Sequence, residues 1–322
     1  MIRFAKRAVL ILGGLVLALI IVLAAILGWM RLEDPILTAH QTLPTFTLAE
    51  RTDAPEHREG ERRIQSDIVL TAPGEEPVRF AVSLPEGAAD EPMPVQIVVG
   101  GLRAGKENIR RLPSPVGRNV VIAFEYPERD AVNDKKASTL SRILAIRKGA
   151  VVTPRQLVAI LQWTAQQPWA DSGRVSLLGY SLGALFVPAA LETAKANRIA
   201  SGVTILAFGG ADVGAIVPQA LKIKSPSLRW IVGVLADCVL HSVEPRYFLP
   251  LMETRTLIIN AEADELIPPA STRLMTQLTP PPKWVVTMPG DHINPRDQAI
   301  LTHVVNVSRD WLIAQGAAND PR

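Results

Sequence analysis

The order of apolar segments along this chain of 322 residues constrains its fold more than any other feature. Segments with apolar residues at helical spacing alternate with continuous apolar runs typical of strands buried on both faces, among them PVQIVV, RVSLL, GVTILAF and RTLIINA. This alternation predicts an α/β fold, with a mostly parallel twisted sheet covered by helices on both faces. Ahead of it, RIQSDIVLT and PVRFAVSL alternate apolar and polar residues around a turn, which predicts an N-terminal antiparallel hairpin.

One helix of this alternation has clear sequence signals at its start. Thr153 can cap it, and Pro154 suits the first helical position. The apolar residues that follow recur at helical spacing: Leu157, Ile160 and Leu161. We therefore expect this helix to begin at Pro154.

The first 31 residues have a composition of their own. From Ala8 to Met30 there is no charged residue, and a helix of that length is about 34 Å long, enough to cross a hydrocarbon core of about 30 Å. Basic residues precede this stretch, so the positive-inside rule keeps the N-terminus in the cytoplasm. We expect a single-pass signal-anchor in the cytoplasmic (inner) membrane, with the remainder on its extracytoplasmic side. The alternative is a signal peptide cleaved after Val22-Leu23-Ala24.

The rest of the chain divides by composition. Residues 32–63 are polar and contain prolines, so we expect a stalk there, followed by one domain over residues 64–322. A helix-like, partly apolar insertion interrupts the alternation at about residues 212–250, and we expect it to form a lid. The formal net charge is +3, but the first 31 residues carry four basic and no acidic residues. The remainder is therefore near neutral, which argues against a nucleic-acid partner.

The pentapeptide Gly179-Tyr180-Ser181-Leu182-Gly183 lies where a predicted strand meets a predicted helix. It matches G-x-S-x-G, in which a serine sits on a sharp, strained turn between two glycines. A hydroxyl held there projects from the sheet edge at a helix N-terminus, where backbone N–H groups can stabilise a developing anion. The pentapeptide alone also fits an ordinary tight turn, so its meaning depends on partners elsewhere in the chain.

Two later loops carry residues that suit such partners. Asp264 comes shortly after the strand RTLIINA, and His292 comes shortly after the strand KWVVTMPG. The order Ser181, Asp264, His292, each just beyond a strand, resembles the α/β-hydrolase superfamily of serine hydrolases. The resemblance extends from about residue 64 to the C-terminal helix and identifies no subfamily.

Several acidic residues compete for the role of the triad acid. Asp264 matches the family position, while Glu262 and Glu265 beside it stay open as alternatives. Asp291 is adjacent to His292 in sequence and is therefore poorly placed to orient that ring. We interpret Asp291 as a turn residue.

The resemblance implies an oxyanion hole formed by two backbone N–H groups. One is that of Leu182, after the nucleophile, and the other is that of Leu102, in a loop where glycine replaces the histidine common in the family. Gly101 is the alternative to Leu102 as donor. We also expect a substrate pocket lined by Gly101, Tyr180, Trp230, Ile231 and Ile293.

The same loop suggests a rival function. Residues 100–106 read G-x-x-x-x-G-K after a strand, which is close to a phosphate-binding loop. The next residue is Glu107, where Mg²⁺ binding needs a hydroxyl, and its carboxylate would repel phosphate. We therefore expect no nucleotide site. The sequence has no metal-ligand spacing, and we expect neither a metal nor another cofactor.

These features predict a membrane-anchored serine hydrolase that cleaves a carboxylic ester of a small-molecule or lipid-like acyl substrate through an acyl-enzyme. Thioester hydrolysis, peptide hydrolysis and acyl transfer on the same fold stay open. So does a hydrolase-like domain that only binds or scaffolds. The acyl and alcohol groups and the oligomeric state are not predicted.

Overall fold

The computed structural model describes residues 21–22, 25–58, 60–88, 90–101, 105–111, 116–294 and 296–321. The strands in them are β1 Thr47–Arg58, β2 Glu61–Thr71, β3 Val78–Pro85, β4 Met93–Val99, β5 Val120–Glu125, β6 Ala170–Tyr180, β7 Thr204–Ala207, β8 Thr256–Ala261 and β9 Lys283–Met288. The helices are α1 (residues 25–32), α2 Pro35–Ala39, α3 Arg129–Asn133, α4 Thr139–Thr164, α5 Leu182–Ala196, α6 Val213–Ala220, α7 Pro226–Val239, α8 Pro245–Phe248, α9 Pro269–Leu278 and α10 Gln298–Ala314. Short 3₁₀ turns are Gly105–Arg111, His241–Val243 and Leu249–Leu251.

The strands of the described residues form one sheet, in the order β1-β2-β3-β5-β4-β6-β7-β8-β9. Pairing is antiparallel from β1 to β5 and parallel from β5 to β9. The predicted hairpin is the pair β2 and β3, in which Ile64 lies opposite Leu84. The expected mostly parallel sheet with an N-terminal antiparallel hairpin is therefore confirmed.

Alternate residues of the central strands supply cores on opposite faces of the sheet, as the pleat requires. In β6, Leu177 belongs to the cluster that includes Leu157 of α4 and Val187 of α5. Its neighbour Leu178 belongs to the cluster that includes Val304 of α10. Burying one such side chain contributes about 1.5–3 kcal/mol, so helices on both faces hold these strands in place.

Most of the segment expected to be a stalk, residues 32–63, belongs to the folded domain, and this corrects that expectation. β1 pairs with β2 along its length, and the Ser83 hydroxyl of β3 donates to Glu56 of β1 at 2.6 Å. Ahead of the sheet, His40 Nε2 lies 2.7 Å from the carboxylate of Glu192 in α5. The segment reads as polar because β1 is an edge strand, and charged side chains are common on such strands.

The helix expected to begin at Pro154 begins earlier, at Thr139, and contains that proline. Its N-cap is Ser138, whose hydroxyl accepts the N–H of Ser141. Thr153 does not cap the helix, because its hydroxyl donates to the carbonyl of Gly149 in the preceding turn, at 2.7 Å. An internal proline costs about 3 kcal/mol, which the buried apolar residues after it offset.

The predicted signal-anchor falls largely outside the described residues. Of its range, residues 21–22 and α1 are described, and both are helical. In the described part of the chain, no helix combines the length and the apolar character that crossing a bilayer requires.

The predicted insertion between β7 and β8 is helical and contains α6, α7 and α8. α6 and α7 pack against each other, with Gly233 of α7 close to the backbone of Gly214 in α6. The two helices differ in what they bury. Val213 and Ile216 of α6 lie in the core, whereas Trp230 and Ile231 of α7 are exposed.

Candidate active site

The turn between β6 and α5 holds Ser181 in a conformation that few residues adopt. Its φ is 55° and its ψ is −117°, outside the regions favoured by residues that carry a Cβ. Hydrogen bonds on both sides fix the turn. The Ser181 N–H donates to the carbonyl of Ala207 at 2.8 Å, and the Ser181 carbonyl accepts the N–H of Ala184 at 3.0 Å. The backbone hydrogen bonds of the turn therefore help to fix the position of the Ser181 hydroxyl.

The two glycines of the motif are explained by close backbone packing. A Cβ at Gly179 would lie 2.8 Å from backbone atoms of Ala184, and one at Gly183 would lie 1.8 Å from the carbonyl oxygen of Val99. Only glycine fits at these distances without moving β4 or α5. The turn around Ser181 therefore packs directly against the backbone of β4.

The structure brings together the three residues that the sequence order predicts. Ser181 Oγ lies 2.7 Å from His292 Nε2, and His292 Nδ1 lies 2.8 Å from Asp264 Oδ2. The side chains of His292 and Asp264 are each only 8% exposed. The other Asp264 oxygen accepts the N–H groups of Leu266 and Ile267, both at 2.9 Å. One carboxylate oxygen thus fixes the loop while the other orients the ring.

The alternative acids lie elsewhere. Glu265 forms an exposed ion pair with Lys222 at 2.9 Å, and the side chain of Glu262 is exposed. Asp291 accepts the backbone N–H groups of Glu265 at 2.8 Å and of His292 at 2.6 Å. These backbone hydrogen bonds hold the pKa of Asp291 below its ordinary value. Asp291 is therefore a turn residue that positions the backbone of His292.

This geometry defines which proton transfers are possible. An ionised Asp264 can only accept hydrogen bonds, so the hydrogen of the neutral His292 ring lies on Nδ1. Nε2 is then free to accept the proton of Ser181. A serine that can lose its proton as it attacks a carbonyl carbon is the chemistry of acyl transfer.

Tyr126 supports the loop expected to complete the oxyanion hole, and the sequence analysis missed it. Its hydroxyl donates to the carbonyl of Gly100 at 2.7 Å, and burial raises the pKa of Tyr126 far above its ordinary value. The expected donor Leu102 lies outside the described residues, whereas Gly101 is described and half-buried. The N–H of Leu182 belongs to the first residue of α5, where helical N–H groups have no partner within the helix. Tyr126 directly follows β5, and this position does not by itself predict the hydrogen bond to Gly100.

Phe208, also missed, lies against the ring of His292. The two ring centroids are 5.7 Å apart, at an interplanar angle of 72°. Phe208 has a φ of 53°, and its N–H donates to the carbonyl of Ile259 at 2.7 Å. This T-shaped contact helps to hold the imidazole ring in place. The signal was a bulky residue followed by two glycines at the end of β7.

Two of the expected pocket residues serve in packing. The Tyr180 hydroxyl donates to Ser308 Oγ of α10 at 3.0 Å, and burial raises the pKa of Tyr180 to about 12. Ile293 packs against the same cluster, around Val304. Both side chains therefore contact the α10 side of the sheet.

The expected place of Trp230 and Ile231 in a substrate pocket beside Ser181 also needs correction. Trp230 is 71% exposed, and Ile231 is exposed beside it, so neither covers Ser181. The insertion reaches the nucleophile turn through α6 instead, where Ile216 packs in a cluster that includes Leu182. An apolar helix sequence does not reveal which of two adjacent helices faces the core.

The lysine of the G-x-x-x-x-G-K segment forms an ion pair in the structure. Lys106 Nζ binds the carboxylate of Asp67 at 2.6 Å. Within the described ranges, no group of three or more His, Cys, Asp or Glu residues is arranged to hold a metal ion.

Comparison with known families and structures gives the same picture. The model of the family Serine hydrolase (FSH1) matches residues 160–304, a range that includes Ser181, Asp264 and His292. No curated protein matches the sequence significantly. This match, together with the esterase structures described next, supports a hydrolase of the serine esterase type.

Solved structures share the architecture at low sequence identity. An acetyl xylan esterase from Paenibacillus sp. R4 is 14% identical, with a TM-score of 0.59 over 85% of this chain and 92% of its own. Acetyl xylan esterase 1 from Thermoanaerobacterium sp. JW/SL YS485 is 12% identical, with a TM-score of 0.56 over the same shares. A hyperthermophilic esterase from Pyrobaculum calidifontis is 15% identical, with a TM-score of 0.53 over 87% of this chain and 90% of its own. By its sheet, its motif order and these structures, the chain has the α/β-hydrolase fold, and the serine hydrolase family model matches the part of it that carries the three residues.

Proposed function

We propose that the chain is a carboxylic-ester hydrolase in which Ser181 is the nucleophile, His292 the general base and acid, and Asp264 the residue that orients the imidazole. The observation that carries this proposal is the continuous hydrogen-bonded chain from Ser181 Oγ through His292 to Asp264, at 2.7 and 2.8 Å. Both distances lie within the range that proton transfer requires.

The proposed reaction has two halves. Ser181 Oγ attacks the ester carbonyl carbon while its proton moves to His292 Nε2, and Asp264 stabilises the resulting imidazolium. The oxyanion is bound by the Leu182 N–H and by a second N–H from the loop after Gly100. His292 then returns the proton to the departing alkoxide, which leaves an acyl-enzyme. In the second half, water attacks the acyl carbon while it gives a proton to His292 Nε2. His292 then returns this proton to Ser181 Oγ as the bond between Oγ and the acyl carbon breaks, which releases the acid and restores the serine.

An ester is the substrate bond that this site favours. An alkoxide departs more readily than an amine, so one histidine suffices as proton donor. The similar solved structures include acetyl xylan esterases, which by their names act on acetyl esters. We propose that the acyl group lies beside the turn after Ser181, where Ile216 of α6 packs near Leu182.

We also propose that the chain is anchored in the cytoplasmic membrane, with the hydrolase domain on the extracytoplasmic side. The support is the uncharged stretch from Ala8 to Met30 and its basic N-terminal flank. A reporter that is active only outside the cytoplasm, fused after Arg322, should be active. N-terminal sequencing of the mature protein should find its first residues. A sequence that begins near Ala25 would instead show a cleaved signal.

Hydrolysis of short-chain p-nitrophenyl esters tests the proposed activity. Ser181→Ala should lower kcat by about 10⁴-fold or more, because the nucleophile and its base act as a unit. Ser172→Ala, an exposed serine at the opposite end of β6, is the matched control and should keep the wild-type rate. Undiminished turnover by Ser181→Ala would end the serine-hydrolase proposal. A wild-type chain without activity on any ester would favour the binding module.

A further inference from the structure

The outer face of α7, formed by Leu228, Trp230, Ile231 and Val234, is apolar and exposed. Trp230 and Val234 are four positions apart. Leu228, Ile231 and Val234 follow one another at intervals of three. These spacings place the four side chains on one side of the helix. The side of α7 turned toward α6 carries Gly233, which lies close to the backbone of Gly214, and the buried Ala236, and the helix becomes buried at its end through Cys238 and Val239. Soluble proteins rarely leave a contiguous apolar surface of this kind without a partner.

The same stripe of α7 holds the end of the N-terminal apolar stretch. Trp230, Val234 and Asp237 are spaced at i, i+4 and i+7, and the carboxylate of Asp237 forms an ion pair with Arg31. Arg31 is the first charged residue after the uncharged stretch that ends at Met30. The point where that stretch ends is therefore fixed two turns along the helix from Trp230.

α4 adds a second exposed apolar pair next to this junction. Leu140 and Leu144 are exposed, and they lie on the same stripe of α4 as Arg147, at i, i+4 and i+7. The guanidinium of Arg147 donates to the carbonyl of Val239 at the end of α7 and pairs with Glu33, which follows α1. Three elements, namely α1, α4 and the outer face of α7, thus meet around two ion pairs, Arg31 with Asp237 and Arg147 with Glu33.

The charges of the insertion suit an anionic lipid surface. Between Asp212 and Asp237 the insertion contains Lys222, which pairs with Glu265, and also Lys224 and Arg229, with no acidic residue. Helices that lie in a membrane interface combine Trp and Leu on one face with Lys and Arg at its edges. Tryptophan side chains favour the headgroup level of a bilayer. α1 itself exposes Trp29 and Ile26 at the same junction.

We infer that the outer face of α7 docks on the membrane surface, inserting its apolar side chains into the headgroup and acyl boundary beside the N-terminal segment. Its depth would be about 5–10 Å, as for other interfacial helices. The occupant of the face is thus a bilayer containing anionic lipid. This docking rests on the proposed anchor, and its test does not depend on hydrolysis.

The test places a fluorescent label on the face in the full-length chain. Cys238, the only cysteine, is replaced by alanine, and Trp230→Cys is labelled with bimane. The matched control carries the label at Ser172→Cys, at the far end of β6. Both are reconstituted into vesicles of phosphatidylcholine and phosphatidylglycerol. Each labelled chain must keep the thermal unfolding midpoint of the unlabelled Cys238→Ala protein.

Docking predicts opposite quenching at the two positions. A lipid with a nitroxide near its headgroup should remove most of the fluorescence at position 230 and little at 172, whereas iodide in the water should do the reverse. Equal iodide quenching at both positions would overturn the inference. So would protection of position 230 from both quenchers, since a second copy of the chain would then cover it. Full-length protein that does not float with the vesicles would also contradict it. Labelling of Ser181 by a fluorophosphonate reports the proposed function separately.

Discussion

The surroundings of Ser181 and the outer face of α7 lie in the same domain but hold their side chains in opposite ways. Around Ser181, backbone contacts from three strands fix the reacting groups, and the His292 and Asp264 side chains are nearly fully buried. On α7, four apolar side chains of a regular helix are between 39% and 71% exposed. A catalytic site needs its reacting groups at fixed distances. A surface that binds a fluid bilayer needs only exposed apolar side chains.

The first prediction concerns Asp264, which orients the ring of His292. Asp264→Asn should lower kcat by about 10⁴-fold, because an amide can stabilise the wrong tautomer of His292 and cannot stabilise the imidazolium. Glu265→Gln, at the next position, removes only an exposed ion pair and should change kcat less than about twofold. Steady-state kinetics with a p-nitrophenyl ester measures both. If Glu265→Gln is the damaging change, the acid has been assigned to the wrong residue.

The second prediction concerns the glycine that lets α5 approach β4. Gly183→Ala should destabilise the domain by more than about 4 kcal/mol or prevent folding, because its Cβ would lie 1.8 Å from the Val99 carbonyl oxygen. Gly101→Ala is the control, since no described atom lies within 4 Å of the added Cβ. Thermal unfolding followed by circular dichroism compares them. Equal midpoints would mean that the close packing of the turn is not rigid.

The third prediction concerns Tyr126. Tyr126→Phe leaves the carbonyl of Gly100 without its donor, so the loop after it should lose its position and kcat should fall about tenfold with little change in KM. Tyr180→Phe removes a comparable hydrogen bond that is made to Ser308 of α10 and not to that loop. It should lower the thermal midpoint without a similar loss of kcat. Equal losses of kcat in both variants would show a general loss of packing instead.

The smallest expected effect concerns the inner helix of the insertion. Ile216→Ala should change the ratio of kcat/KM between medium and short acyl chains by a few-fold, because each methylene is worth about 0.8 kcal/mol of apolar burial. Leu221→Ala, exposed at the end of α6, should leave that ratio unchanged. A series of p-nitrophenyl esters of increasing acyl length measures it. A variant with a lower thermal midpoint and an unchanged ratio would show that Ile216 only packs.

The difference between the two regions also explains what the sequence could predict. Ser181, Asp264 and His292 each follow a strand, so strand positions alone bring them to one edge of the sheet. The roles of Trp230 and Ile231 depend on which face of α7 is turned inward. Because α6 fills the adjacent part of the core, these two side chains face outward. Tyr126 contributes one hydrogen bond, from its hydroxyl to the carbonyl of Gly100, and no local sequence pattern predicts such a contact.

Errors in the secondary structure have a similar cause. Residues 47–58 read as polar stalk because an edge strand has few buried neighbours to demand apolar residues. Pro154 read as a helix start because the packing that tolerates it within α4 comes from distant strands. In both cases tertiary contacts override the local signal.

The central claim is that Ser181 is a nucleophile activated by His292, and a covalent label tests it most directly. The wild-type chain is incubated with a fluorophosphonate, and the modified peptide is identified by mass spectrometry. The account predicts one adduct, on Ser181, which is absent from Ser181→Ala and strongly slowed in His292→Ala. An unmodified wild-type chain, or an adduct on any other residue that persists in Ser181→Ala, would contradict it.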